Sequence, residues 1–462
     1  MIPSVIEPPL LDRLATWCAD IRLDDLDANG WGMVRTALVD TLGVILAGST
    51  FGGVRALRRA GVGDPPGPSL VIGTRVRTTA QDAALLNGVA AHALDYDDGN
   101  RKLGGHPSAV LVPTILALGE ELGSAPTDVV VAYAAGFEAM SRIAEGINPA
   151  HYRRGWHPTS TLGVFGAAAA AARLLDLGPE RMAAALAAAA SMAAGVKANF
   201  GTMVKSLHVG HAARDGLLCA KLAAAGLTAS RSALDGAQGF FVLYADDVDV
   251  EAIVSDRGPR ANTRINTIKQ YPCCQSTHCA ATAAIALHSR LPAGDRDIRD
   301  VQVVVDPNRI PHTDRPSIRD AFEGKFSMQY VVARGLLDGR VGLDHFEGDA
   351  DREPGVRELM TRVVLVAAPP GGAPNSFAAE VTVRTARGEK LTASADLDTI
   401  ASMAEPPAGL WTKFADCAGR ALPDDRVAAL AAAAGSFGEV GDLGDLMQLT
   451  ASAPRGRGEE LQ

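Results

Sequence analysis

From its start to about residue 265 the chain sets apolar residues three and four apart, segment after segment; near residue 300 that spacing gives way to alternation. A period near 3.6 builds amphipathic helices and a period of two builds strands, so the switch dictates a mainly α fold with an α+β insertion. Helices are expected over 31–47, 79–94, 107–122, 127–147, 159–175, 179–195 and 208–225, with Gly123, Pro126, Gly178-Pro179 and Gly226 at joints. Their alanine and glycine content predicts close helix–helix approach. The β-branched runs 301–305, 362–366 and 379–385 read as strands, and 390–395 pairs with the third through a turn at 386–389. Helices over 277–289 and 326–337 lie among them. After Pro406 the chain is helical again over 413–422, 424–434 and 443–450, too short to bury a core alone. The expected organisation is therefore a large all-helical domain over 1–266, an inserted α+β lid domain over 267–401, C-terminal helices over 402–450 returning to the helical domain, and a disordered tail over 451–462.

Composition removes several function classes. A chain of 462 residues with 47% hydrophobic content can bury a sizeable core. Its net charge of −9, with no basic cluster, argues against a nucleic-acid partner. The alanine-rich runs 159–172 and 182–196 are too short for membrane spans and read as buried helices. Six cysteines spread along the chain form no disulfide framework, and MIPSVIEPPL lacks a basic segment before an apolar run. A reduced, cytoplasmic chain with no membrane partner is expected.

The chemistry concentrates between Asn87 and Ser108, in NGVAAHALDYDDGNRKLGGHPS. A helical pattern runs into Asp95, Asp97 and Asp98, a glycine-flanked loop follows, and His106-Pro107-Ser108 opens the next helix. His92 and Asp95, three apart, can share one helix face. Carboxylates on one side of a short loop and an imidazole on the other suit an acid–base site. A second His-Pro helix entry occurs at His157-Pro158, and two such entries could aim imidazoles and helix N-termini at one anion. Lys205 and His208, three apart after a glycine-containing loop, suit carboxylate binding or proton transfer. Arg101, Lys102, Arg153, Arg154, Lys197, Lys205 and Lys269 add local positive charge on an acidic chain, which suits a small anionic ligand. Cys273, Cys274, His278 and Cys279 are close in sequence, but they form no CxxC pair and have no second pair, so no metal is expected. Tyr330 sits in a helix-opening FSMQY, where a tyrosine is more often core than catalytic. No dinucleotide fingerprint, P-loop or nucleophile elbow is visible, so no cofactor is implied.

In order, ALVDTLGVILAGS, LNGVAAHALDYDDGN with GHPSAVLVPTILALGE, AYAAGFEAMSRIAEG, RRGWHPTSTLGVFGAAAAAARLL, TMVKSLHVGHAARDGLLCAKLAAAGL, KQYPCCQSTHCAATAAI and FSMQYVVARGLLDG resemble the MmgE/PrpD family. The resemblance covers roughly residues 30 to 340. It implies a large helical domain plus an α+β lid, a homodimer, and action on small polycarboxylates without metal or organic cofactor. The family's activities are 2-methylcitrate dehydratase, cis-aconitate decarboxylase and iminodisuccinate epimerase. Carried over, its cleft comprises Asp95, His106, His157, Lys205 and Tyr330 as catalytic residues; beside them, His208, Lys269, Cys274 and His278 are expected as further substrate contacts. One departure matters: Cys274 stands where the decarboxylases carry a catalytic histidine, and His278 lies one helical turn on. The resemblance therefore implies first a dehydratase-type lyase on a di- or tricarboxylate, and second an epimerase using the same deprotonation. A decarboxylase, or a non-catalytic metabolite-binding member, comes behind these. Lys205 or His157 is expected as base, Asp95 as orienting carboxylate or second acid–base group, and His106 and Tyr330 as anion contacts or proton donors.

Overall fold

Small side chains decide how closely the helices approach. A Cβ on Gly88 would stand 2.9 Å from the Gly210 Cα, and one on Gly210 would stand 2.4 Å from the Leu85 carbonyl oxygen. The helices Ala80–Ala93 and Met203–Ala224 thus cross with their backbones in contact, which only glycine permits. Gly136 and Gly166 bring Pro126–Ile147 equally close to Gly163–Leu174, where a Cβ on Gly136 would lie 2.6 Å from the Gly166 carbonyl. Ala167 through Ala172 are fully buried in the same core.

The structure is a computed structural model that describes residues 9–255, 266–291, 298–369, 376–397, 409–439 and 441–452. The chain is mainly α with a smaller α+β part, and it divides into two compact units, residues 1–268 with 402–462 and residues 269–401. In the first unit the helix Ala28–Gly48 is long and apolar enough to cross a membrane by composition, but 78% of that window is buried inside the protein. The C-terminal helix Leu410–Ala418 packs on it; a Cβ on Gly43 would meet Phe414 at 3.1 Å.

The first unit departs from expectation in three places. The 159–175 helix is broken at Leu162 into Pro158–Thr161 and Gly163–Leu174; the hydroxyl-rich Thr-Ser-Thr turn bonds its own backbone, and Thr161 Oγ1 donates to the His157 carbonyl at 3.2 Å. The helix expected from His208 begins at Met203, because Thr202 caps it by accepting from the Val204 amide at 3.2 Å. Short strands occur in a region that otherwise reads as helical. Pro66–Leu70 pairs with Arg77–Thr78, and Gly99–Asn100 pairs with Asn266–Thr267. Strands this short, or interrupted by proline and glycine, leave no alternation to detect.

The second unit is a four-stranded sheet ordered Val363–Ala367, Ile298–Val305, Ala379–Thr385, Lys390–Ala395. The first pair is parallel and the others antiparallel, with Val303 opposite Leu365 on one side and Val381 on the other. Alternation along the central strand buries Val301, Val303 and Val305, which join Val381, Val383 and the helices His278–His288 and Met328–Asp338 in one core. The expected tail lies, from residue 453 on, outside the described residues.

Candidate active site

The site grows from the end of one helix. Ala80–Ala93 is capped by Thr79 and runs out at Leu94; Asp95 then takes φ 53°, in the left-handed region that few residues other than glycine enter. That reversal turns the Asp95–Asp98 segment so that its carboxylates diverge to different partners. Asp95 accepts from the Lys205 ammonium. Asp97 meets His92 Nδ1 at 2.7 Å and lies 3.5 Å from His106 Nδ1. Asp98 accepts from the Ser108 hydroxyl at 2.6 Å, the Ser108 amide at 3.2 Å and Asn266 Nδ2 at 3.3 Å. It thereby caps Ser108–Leu122, and Ser108 is bonded in turn to the Tyr133 hydroxyl.

Hydrogen bonding sets the tautomers. His106 Nδ1 faces the Asp98 carbonyl, which can only accept, so the proton sits on Nδ1 and Nε2 carries the lone pair in the neutral ring. His92 donates to Asp97 in the same sense, and its buried Nε2 has no hydrogen-bond partner among the described residues. His157, at the entry to Pro158–Thr161, lies with Nδ1 3.3 Å from His208 Nδ1, so one ring donates and the other accepts. The ring of His92 is 4.9 Å from that of His106 and 5.5 Å from that of His157. Lys205 stands 5.3 Å over Phe200, whose ring meets His157 edge-on at 4.9 Å. Asp95, His106, His157, Lys205 and His208 are thus gathered around His92 and Phe200 within the first unit.

Burial governs the charge states. Desolvation, then the crowding of His92, Lys205, His208 and His106 around it, holds His157 well below the ordinary imidazole value. Desolvation lowers His92 despite Asp97, and burial with His92, His211 and Lys205 nearby brings His208 down to about 4. Burial raises Asp98 to about 8 against the Ser108 hydrogen bond, with Asp97 and Asp40 adding to the rise. At neutral pH these three imidazoles are bases, not cations.

Ligand atoms of His92, Asp97 and His106 lie within 4.8 Å of one another, a metal-sized grouping. Its donor set fits an ion poorly, because His106 Nδ1 carries a proton to the Asp98 carbonyl and His92 Nδ1 carries one to Asp97.

The remaining expected residues belong to the second unit. Tyr330 is fully buried; its hydroxyl donates to the His345 carbonyl and accepts from Arg334 Nε at 3.2 Å, so here it is a core and hydrogen-bonding residue of its own unit. Lys269 is buried. Cys274 is half-buried and its amide donates to the Lys325 carbonyl. His278 is buried, with Nε2 3.2 Å from the Cys273 carbonyl and its ring against Tyr271.

Sequence reasoning left two groups out of the site. His92 was noted for sharing a helix face with Asp95, but its pairing with Asp97, five residues on and past the helix end, had no sequence signal. Asp98 looked like one more loop carboxylate.

A helical unit interrupted in sequence by an α+β unit thus buries imidazoles, carboxylates and a lysine together in the former. The chain belongs to the MmgE/PrpD family: its N-terminal domain matches residues 12–253 and its C-terminal domain residues 271–436. Human cis-aconitate decarboxylase is 32% identical over 333 residues, 70% of this chain and 69% of that protein. The mouse protein is 31% identical over 68% of this chain and 66% of its own. The Aspergillus terreus cis-aconitate decarboxylase is 28% identical over 76% and 77%. These relatives are lyases, and the chain is similar to them across most of its length.

Proposed function

We propose that the protein is a lyase of the dehydratase type that moves a proton beside a carboxylate of a small di- or tricarboxylate. The observation that carries this is the set of buried imidazoles held neutral next to the Lys205–Asp95 pair. A neutral buried imidazole can accept the proton, and His157 is the base. Deprotonation places charge on the substrate carboxylate as an enediolate, which the Lys205 ammonium stabilises while Asp95 holds it in place. The C–O bond at the adjacent carbon then breaks, and the departing hydroxyl takes a proton from Lys205 and leaves as water. With His157 Nδ1 donating to His208 Nδ1, the His208 Nε2–H is left to donate to the anion.

Decarboxylation is the second reading, favoured by the decarboxylase relatives at 28–32% identity and opposed by Cys274 in place of the implied histidine. Epimerisation would use the same first step and return the proton to the other face. NMR of methylcitrate, citrate, cis-aconitate and iminodisuccinate with purified protein in deuterated water separates the three. An alkene with loss of water supports the proposal; loss of carbon dioxide, or deuterium incorporation into an unchanged skeleton, replaces it.

A further inference from the structure

We propose that Lys413, on the C-terminal helix Leu410–Ala418, is a positioning residue for this site, clamping the Tyr96 carbonyl between Asp95 and Asp97 and tying it to Asp40. The proposal rests on the acid–base reading above and names a residue outside it.

Lys413 Nζ donates to the Tyr96 carbonyl at 2.6 Å, stands 2.7 Å from Asp40 Oδ1, and lies 4.0 Å over the Tyr96 ring. The side chains of Lys413 and Asp40 are 6% and 0% exposed. Burying two charges is weak evidence for stability, since desolvation offsets much of their attraction. What the pair does hold is one peptide. Tyr96 follows the left-handed Asp95, whose carboxylate takes Lys205, and precedes Asp97, which orients His92. A residue in that backbone region persists only where its surroundings over-determine it. The clamp does so from 317 residues away in sequence.

The packing is built for this reach. Gly43 lets the C-terminal helix approach Ala28–Gly48 until a Cβ at Gly43 would lie 3.4 Å from the Phe414 Cα. The charged and titratable groups around the clamp are Asp40 on that helix, Asp97 and Asp98 on the turn, Asp416 and Cys417 on Lys413's own helix, and Arg420 just beyond its end. Lys413 is the cation that Asp40 and the turn share.

Two uncharged pairs test the clamp without stranding a buried ion. Asp40→Asn with Lys413→Gln keeps an N–H donor for the Tyr96 carbonyl; Asp40→Asn with Lys413→Leu removes it. The donor-less pair should lose about thirtyfold in kcat relative to the donor pair, with KM within about threefold, as misplacement of a reacting group does. Without any substrate, the His92 Nδ1–H resonance in the NMR spectrum should move upfield in the donor-less pair only, as its bond to Asp97 loosens. Equal kcat and an unmoved His92 signal in both pairs overturns the proposal. Failure of the donor-less pair, or of both, to fold assigns Lys413 to stability and overturns it too. Should no polycarboxylate be turned over even by the wild type, the His92 resonance still decides the clamp, and only the acid–base reading falls.

Discussion

Arg334 in the α+β unit and the imidazole cluster in the helical unit both bury polar groups, but only one of them is saturated. Every guanidinium nitrogen of Arg334 is engaged: Nε with the Tyr330 hydroxyl, one terminal nitrogen with Asp338 and Glu353, the other with the Ala350 carbonyl and Glu353. Such a network holds a fold together and leaves nothing to offer a ligand. In the helical unit His92 Nε2 is without a partner among the described residues, and His157 and His208 are held neutral beside a lysine. Polar groups left short of partners in a buried setting cost free energy, so their presence in this cluster calls for an explanation. Between these two clusters, saturation more than burial makes the difference.

The largest effect that could break this contrast is at Lys205. Lys205→Ala should reduce turnover by about a hundredfold or more, the loss typical of a removed charge stabiliser. Because it strands Asp95 in a buried setting, it should also lower the melting temperature, and Lys205→Ala with Asp95→Asn should recover the stability but not the rate. Steady-state kinetics beside thermal melts would show it. A variant that keeps full rate on the true substrate removes Lys205 from the mechanism.

His157→Asn comes next. Loss of a general base should cost roughly a hundredfold in kcat, with little change in melting temperature because the ring's own polar contact is one shared bond to His208. If kcat holds and KM alone rises, His157 is a binding group instead.

Arg334→Met should do the reverse. Losing its buried hydrogen bonds should destabilise by about 2–3 kcal/mol, measured by denaturant melts, while kcat per folded molecule stays near wild type. A folded Arg334 variant with kcat reduced tenfold would dissolve the distinction between the two clusters.

The smallest effect is on pH. Burial depresses His92, His157 and His208 in the folded state, so the unfolded chain binds more protons as the pH falls from 6.5 toward about 4. Stability should be fully present above 6.5 and decline through that window. His208→Asn should flatten the decline, and an unchanged slope in its melting curves would show that His208 is not held neutral.

Periodicity made the large elements legible. The run Val301–Val305 alternates because one face of its sheet is buried, and Ala379–Thr385 with Lys390–Ala395 falls where the turn at 386–389 places it. Helix starts set by a single side chain were less readable: Thr202 moves a helix five residues earlier, which puts Lys205 and His208 together inside it. In the site, Asp95, His106, His157 and Lys205 were readable because unusual residue types stand at helix ends. His92 was not, since its meaning depends on Asp97 folding back through the left-handed Asp95, and a φ of 53° has no sequence signature at an aspartate. Lys413 lies too far along the chain for any spacing rule to connect it to Tyr96.

The contact between Gly88 and Gly210 bears on how such a protein can be redesigned. His92 lies one turn beyond Gly88, and Lys205 and His208 lie just before Gly210, so the backbone crossing sets the spacing of the reacting groups. Any side chain added at either glycine would wedge the helices apart and change every one of those spacings at once. A library seeking new substrates should leave the crossing and the Thr202 cap untouched and vary the segment from Lys197 to Gly201, where Phe200 meets His157 and Lys205. Under the proposed reaction, diversity there should alter what is recognised while the helix crossing that spaces His92, Lys205 and His208 is kept.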